Sequence, residues 1–439
     1  MAVTDPFFGL RTTADWEENQ FPENWREGLL WLYPNGDAPL TAILSLMRNS
    51  TIPKFDVSWY IDRMASRGGT LTGVYTDSGL SSAYVSGGVA GQTLYIKMKA
   101  SSTTYSDALI GHFKVGSTAS IGKELDPTLW VVALVTQTVS NGASSYIRIT
   151  LLEADDNSVN GFTLANADEV WISGSAYGEA GMPPEATNVI PFKFTNQTQI
   201  LKTTIELSGT TLASKMRPME ALDYERKKKL EDHGRDIEEA ILTGVYYEDT
   251  DDDGNIRRFM RGLLSFLKTY ASTNIMDFRY DTDFGGMSWL EGGEDWLDNA
   301  IEHISLWSSA PERLGLCGNS FLMGLNRLIK HKGLVPLTSM TMAYGIKVTR
   351  WETPVGDIYL KRHPLFNLKA SYRRSCLILD PRDLVYDTLE GRDFKIEDVT
   401  TKGFDGVQEQ FLSEATVELS NVDQMGLLNG VGSDSLVNV

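Results

Sequence analysis

The sequence predicts an α+β fold on three observations. Residues 54–202 hold short apolar–polar alternations punctuated by Gly and Ser, the mark of many short strands. One long amphipathic helical pattern fills about residues 218–243. Two shorter helical patterns then lead into a second β-rich section. The chain has 439 residues, 42% apolar and 22% charged, enough for two or three domains with a sizeable core.

Residues 1–53 spread Phe7, Phe8, Trp16, Phe21, Trp25, Trp31 and Tyr33 among polar residues, with no sustained period before Glu23. Such a segment suits an extended arm whose rings bury on a neighbour, or a terminus with local packing. Within it, Tyr33–Pro34–Asn35–Gly36 is a turn signal, and Asp37 can cap a following helix with Pro39 in its first turn. The β-rich section has predicted strands at 93–99, 130–138, 146–153 and 169–173. Leu94, Ile96 and Met98 alternate with Tyr95, Lys97 and Lys99, the period of a half-buried strand. Residues 68–91 are rich in Gly, Ser and Thr and read as a flexible hairpin or loop. Residues 111–173 are long enough for a small β-subdomain.

The central helix has Pro218 where a first turn tolerates proline, with Ser214 as the candidate N-cap. Leu222, Arg226, Leu230, Ile237 and Ile241 form its stripe, with Met219 and Ala240 beside it. Asp223–Lys227, Glu225–Lys229 and Glu231–Arg235 are i,i+4 pairs in the favourable orientation. Gly244 supplies the stop, and the rod would span roughly 39 Å. Gly234 inside it costs about 1 kcal/mol against Ala, so packing must help hold the helix. Taken alone, the pattern also fits a coiled-coil arm or a surface helix.

An acidic loop at 246–255 follows, then 262–270. Helices are predicted at 294–308, with Leu297, Ala300, Ile301, Ile304 and Trp307 on one face, and at 319–332, ended by Gly333. Predicted strands 346–352 and 358–362 flank Thr353–Pro354–Val355–Gly356, a hairpin signal. Short buried strands are expected at 376–379 and 384–386, and a last alternating strand at 414–419. The Gly/Ser-rich stretch 426–439 is expected to pack weakly.

Composition excludes several functions. No apolar run approaches the ~18 residues of a membrane span, and the opening residues lack the basic and apolar regions of a signal peptide. Cys317 and Cys376 make neither a disulfide framework nor a metal spacing, which fits a reduced compartment. The net charge of −18 argues against nucleic-acid binding as the main task. It suits a container whose wall should not adsorb DNA. The one dense basic run, Arg226 to Lys229, lies among acids and reads as a solvated helix face.

No P-loop, dinucleotide fingerprint, HExxH or GxSxG motif occurs. His112, His233, His303, His331 and His363 have no ligand spacing. No catalytic residue, cofactor site or metal site is therefore assigned. A single pattern approaches a metal loop. Asp249, Asp251 and Asp253 with Gly254, Asn255 and Ile256 match the first half of an EF-hand. The bidentate Glu expected at its twelfth position is Met260, and Arg257 and Arg258 compete as ion-pair partners. An acidic surface turn is the favoured reading.

Six short motifs carry a resemblance. They are Tyr33–Leu44 (YPNGDAPLTAIL), Phe55–Asp62 (FDVSWYID), Thr198–Gln199–Ile200, Ser208–Gly209–Thr210, Arg235–Gly244 (RDIEEAILTG) and Leu377–Pro381 (LILDP). In this order they resemble the major capsid proteins of tailed bacteriophages. The resemblance implies the Hong Kong 97-type shell fold and no catalysis. It divides the chain into an N-terminal arm (1–53), an extended loop with a β-rich insertion (54–202), and a peripheral domain with the long spine helix (203–290). An axial domain (291–387) and a return to the peripheral domain with the C-terminal tail (388–439) complete it. It further implies an icosahedral shell of hexamers and pentamers of the chain itself. Portal and scaffold or decoration proteins would be partners, double-stranded DNA would be enclosed without sequence-specific contact, and the virion would be the location. Little or no N-terminal cleavage is expected, since no Glu/Lys-rich leader precedes Tyr33. Two alternatives remain open at this point: a β-rich phage binding or tail-associated protein, and an encapsulin-like compartment shell.

Overall fold

The computed structural model describes residues 47–61, 67–99, 111–124, 126–155, 162–179, 191–214, 221–306, 312–331, 339–341 and 347–437. The aromatic stretch 1–46, with Asp37 and Pro39, lies outside them. So do Pro218, Met219, Trp307, Gly333 and Ile346. The chain divides into two units, residues 60–192 and the remainder.

Strands β1 (Arg48–Ile52) and β2 (Asp56–Ile61) come first. Unit 60–192 is a closed six-stranded barrel of β3 (Gly68–Tyr75), β4 (Thr93–Met98), β5 (Ser117–Lys123), β6 (Asp126–Val139), β7 (Tyr146–Leu151) and β8 (Glu169–Ser175). Its order is β3-β4-β7-β6-β5-β8. Closure leaves no unpaired sheet edge. Alternation fills the interior: Leu94, Ile96, Ile121, Ala133, Val135, Ile147, Ile149 and Val170 are all fully buried.

The barrel sharpens one expectation. Of the hairpin or loop expected at 68–91, the structure forms the hairpin: the segment begins as β3, which pairs antiparallel with β4 and also with β8. Tyr84 is buried, and its hydroxyl donates to Asp155 Oδ2 at 2.6 Å while accepting from Gly88 N at 2.7 Å. Glycine serves close packing there. A Cβ on Gly68 would lie 2.4 Å from the Val170 carbonyl, and one on Gly88 2.8 Å from the Tyr84 hydroxyl. The expected β-subdomain exists, but it starts at Gly68 rather than Gly111.

In the other unit, β9 (Phe192–Gln197) pairs with β2 and leads into β10 (Gln199–Ser208). A short helix α1 (Gly209–Ala213) and the long helix α2 (Ala221–Thr243) follow. Ser208 caps α1, accepting from Thr211 N, and Ser214 closes its C-terminus. Ser214 therefore ends a short helix; residues 215–220, over which its expected capping of the long helix would be judged, lie outside the described residues. The hairpin β11 (Tyr247–Thr250) and β12 (Ile256–Phe259) precedes α3 (Leu263–Tyr270) and β13 (Ile275–Asp277).

Helix α4 (Trp289–Ser305) starts earlier than expected because Ser288 and Glu291 form a capping box. After it come β14 (Glu312–Cys317), α5 (Asn319–His331), β15 (Ser339–Thr341), β16 (Lys347–Thr353) and β17 (Gly356–Arg362). Strands β16 and β17 are the predicted hairpin, closing at Thr353↔Gly356. Then follow α6 (Pro364–Leu368), β18 (Cys376–Leu379), β19 (Leu384–Leu389), β20 (Lys395–Asp398), β21 (Gly406–Leu419) and β22 (Gly426–Asn429).

Two sheets organise this unit. One runs β1-β19-β21-β10 with β20 on β21; the other runs β13-β22-β18-β14-β17-β16-β15. Helices α4 and α5 cover the second, burying Trp296, Leu297, Ile301, Ile304, Phe321 and Leu325 with Leu360, Ile378 and Leu428. Strand β21 is longer than predicted and does not alternate: residues 411–417 are all buried. The segment 426–439, expected to pack weakly, begins with the core strand β22 (Leu427 and Leu428 buried) and buries Val431, while residues 432–437 are half-buried or exposed.

Candidate functional site

The motifs that stood out in the sequence are joints between these elements. The first is a row of side chains at the β9–β10 step. Asn196 is almost fully buried. Its Nδ2 donates to the carbonyls of Arg261 (3.1 Å) and Val417 (2.8 Å), and its Oδ1 accepts from Arg261 N (2.8 Å) and Gln197 N (2.9 Å). Gln197 Nε2 donates to the Tyr247 and Phe259 carbonyls, and Gln199 Oε1 accepts from Met260 N. Thr198 Oγ1 donates to buried Glu414 at 2.9 Å. These polar residues pin the β11–β12 hairpin and the start of α3 onto the sheet. Backbone groups that no ladder reaches find their partners in amides, as buried groups must.

Helix α2 lies on β10 and β21. Its first half faces the sheet with polar groups. Arg226 makes a two-pronged contact with Glu409, which holds its guanidinium charged. His233 bridges Thr203 Oγ1 on β10 and Ser413 Oγ on β21, both at 2.9 Å. The second half is apolar through Ile237, Ile241 and Leu242. Leu230 is 46% exposed, so the predicted stripe breaks there and His233 takes the inward position. Ion pairs along the helix join Asp223 to Arg226, Lys229 to Asp232 and Arg235 to Glu239. The helix stops at Gly244 through crowding: a Cβ there would lie 2.5 Å from the Met260 carbonyl and 2.6 Å from that of Ala240. Gly262 N donates to Gly244 O at 2.9 Å in this crossing.

Two residues that sequence reading passed over meet at the end of the same helix. Glu238 Oε1 lies 2.9 Å from His363 Nε2, both side chains fully buried. Lys361 is buried nearby; burial lowers its pKa, and the Glu238 carboxylate opposes that shift. This contact ties α2 to the chain leaving β17. The i,i+3/i+4 pattern that put Ile237 and Ile241 inward also puts Glu238 at the rim of the apolar stripe, the one signal available beforehand.

Burial pushes the His233 pKa below its ordinary 6.5, and Asp236 partly opposes this. The folded state then binds fewer protons than the unfolded chain. The stability this neutral histidine contributes is present above pH 6.5 and lost as pH falls through the folded pKa. His233→Gln is expected to flatten the acid limb of a melting-temperature profile between pH 7 and 5. The steepest slope one proton can give is about 1.4 kcal/mol per pH unit. Parallel profiles for variant and wild type would assign the acid sensitivity elsewhere.

The acidic stretch is the turn of the β11–β12 hairpin. Asp249 pairs with Arg257 at 2.9 Å. Asp251 Oδ1 accepts from Asp253 N (3.1 Å) and Asn255 N (2.7 Å), and Asn255 Nδ2 donates to Asp251 Oδ2. Gly254 adopts φ +83°, as the turn requires. Asp249 and Asp251 are thus engaged in holding the hairpin. Among the described residues, no group of three or more His, Cys, Asp or Glu side chains is placed to hold a metal. Calcium and chelator are expected to give the same melting temperature; a calcium-dependent rise abolished by Asp251→Asn would overturn this.

The family model described as SU10 major capsid protein matches residues 11–432. The chain belongs to a family of viral shell subunits, the SU10 major capsid protein family. Over 239 residues it is 22% identical to the major capsid protein of Pseudomonas phage PaMx41, a match covering 53% of this chain and 55% of that one. The chain thus spans about half the length of the curated relative it matches. Among solved structures, one from Mycobacterium phage Bobi aligns over 96% of this chain and 99% of its own, with TM-score 0.43 and 9% identity. The holo-SrpI encapsulin complex from Synechococcus elongatus aligns over 57% and 78%, with TM-score 0.39 and 12% identity.

Proposed function

We propose that this chain is the repeating subunit of an icosahedral, Hong Kong 97-type head shell of a tailed phage, enclosing double-stranded DNA. The observation that carries the reading is the family match across residues 11–432. In this reading the sheet β1-β19-β21-β10 with spine helix α2 is the peripheral domain. The sheet β13-β22-β18-β14-β17-β16-β15 with α4 and α5 is the axial domain, and the barrel is the β-rich insertion of the extended loop. Of the expected arm (1–53), β1 (Arg48–Ile52) instead pairs with β19 in the first of these sheets, so an arm reaching a neighbour would come from the residues before it. Function lies in contacts between copies, and no catalysis is required. The excess of acids keeps the wall from adsorbing its contents. Portal and scaffold or decoration proteins would complete the particle. Purified protein, alone or with its scaffold, is expected to form closed particles or capsomers in negative-stain micrographs. A monodisperse monomer at all concentrations and salts would defeat the reading.

A further inference from the structure

Helices α4 and α5 cover one sheet and carry opposite charge. At one end of this layer, a cavity of about 510 Å³ lies between the start of α4 (Trp289, Leu290) and the end of α5 (Arg327, Lys330, His331). Arg327, Lys330 and His331 are exposed, and none forms an ion pair with another described residue. Asp434 also lines the cavity, where it accepts from Trp289 N.

Along α4 the exposed face turns acidic, through Asp295, Asp298 and Glu302. These also form no ion pair with a described residue. At 1.5 Å per residue, Asp298 and Glu302 lie roughly 14 and 20 Å along the axis from Trp289. The Asp298 carboxyl is held above its usual range by partial burial and by Glu294 and Asp295 beside it. The layer therefore has a basic groove at one end and mutually repelling carboxylates further along.

We propose that the groove of Arg327, Lys330 and His331 receives the acidic face of α4, around Asp298 and Glu302, from a second copy of this chain. The contact uses two different patches, so it is head-to-tail, and repetition about an axis closes a ring. It rests on the shell reading and names one contact within it. Each copy offers both patches, so every junction of the ring is satisfied. Opposite charges meeting there steer association and exclude wrong registers.

The test uses the full chain. Arg327→Glu/Lys330→Glu and Asp298→Lys/Glu302→Lys, made separately, change only exposed residues and are expected to melt cooperatively near the wild-type temperature. Each is expected to lower particle yield at least tenfold. Combining all four changes in one chain is expected to restore particles, while mixing the two variant chains satisfies alternating rings of six and leaves one repelling junction in every ring of five. Wild-type yield from either variant alone overturns the contact, as does failure of the four-change chain to assemble. Normal assembly with loss of DNA retention in the groove variant would overturn it in favour of a polyanion site. Particles formed by the wild type in parallel establish the shell reading separately, so a failed rescue counts against this contact alone.

Discussion

Ending the chain after Met425 is expected to give insoluble protein with no cooperative melt. The deleted stretch holds β22, an interior strand between β13 and β18. Ile275 pairs with Leu427 on one side and Cys376 with Leu428 on the other. Leu427, Leu428 and Val431 are buried. Burying such side chains is worth about 1.5–3 kcal/mol each, against a total domain stability of about 5–15 kcal/mol. The loss goes further. β13 and β18 would each present an unpaired edge inside the domain, where buried backbone groups need partners. Downstream, Asp434 accepts from Trp289 N, Ser435 N donates to the Met287 carbonyl, and Leu436 N donates to that of Arg279. These contacts hold the loop that enters α4. Expression, solubility and far-UV circular dichroism of the truncated chain decide the matter. A soluble product with a wild-type melt would show that the sheet tolerates an open seam.

The same strand shows where sequence reading loses its grip. Gly426, Gly430 and Gly432 made the segment look slack. Gly430 and Gly432 adopt φ +75° and +77°, so they make turns that other residues rarely make. Gly426 is required by contact: a Cβ there would lie 2.2 Å from Ile304 Cδ1. Composition cannot separate a glycine that loosens a chain from one that lets two elements touch. Four barrel strands, β4, β6, β7 and β8, were legible because one face is wet, which prints a period of two into residues such as 94–98, whereas β3 and β5 were not assigned. Strand β21 is buried on both faces through residues 411–417, which erases that period. Helix α2 was legible from its apolar second half and its terminal glycine. Its first half was misread at Leu230, because Arg226 and His233 meet polar partners on the sheet, and those partners lie far away in sequence. The start of α4 was marked by Ser288 and Glu291, yet Gly292 and Gly293 hid it. There, a Cβ on Gly292 would meet Met287 Sδ at 2.9 Å and one on Gly293 the Trp289 ring at 2.8 Å.

Replacing Asn196 by Leu is expected to abolish the native melt or lower it steeply. This amide satisfies four backbone groups from three segments: two N–H groups, of Gln197 and Arg261, and two carbonyls, of Arg261 and Val417. Leucine has the same branching at Cγ and no polar atom. Each buried group left without a partner costs about 1–3 kcal/mol, so four approach the stability of a whole domain. Asn196→Asp separates lost hydrogen bonding from lost shape. The carboxylate still accepts from both N–H groups, but it points a negative oxygen at two carbonyls in a dry site. That environment favours the protonated acid, so the folded-state pKa of the new group must be raised. The folded variant then binds a proton that the unfolded chain has released. Its deficit against wild type should be largest near neutral pH and shrink as pH falls toward the unfolded carboxylate value of about 3.9. The Leu variant, with nothing to titrate, should keep a constant deficit over that range. Thermal melts of the three proteins at pH 7 and pH 5 make the comparison. A pH-independent deficit in the Asp variant would mean that water enters the joint and solvates the charge, and that Asn196 is not the dry clamp that holds the β11–β12 hairpin and α3 to the sheet.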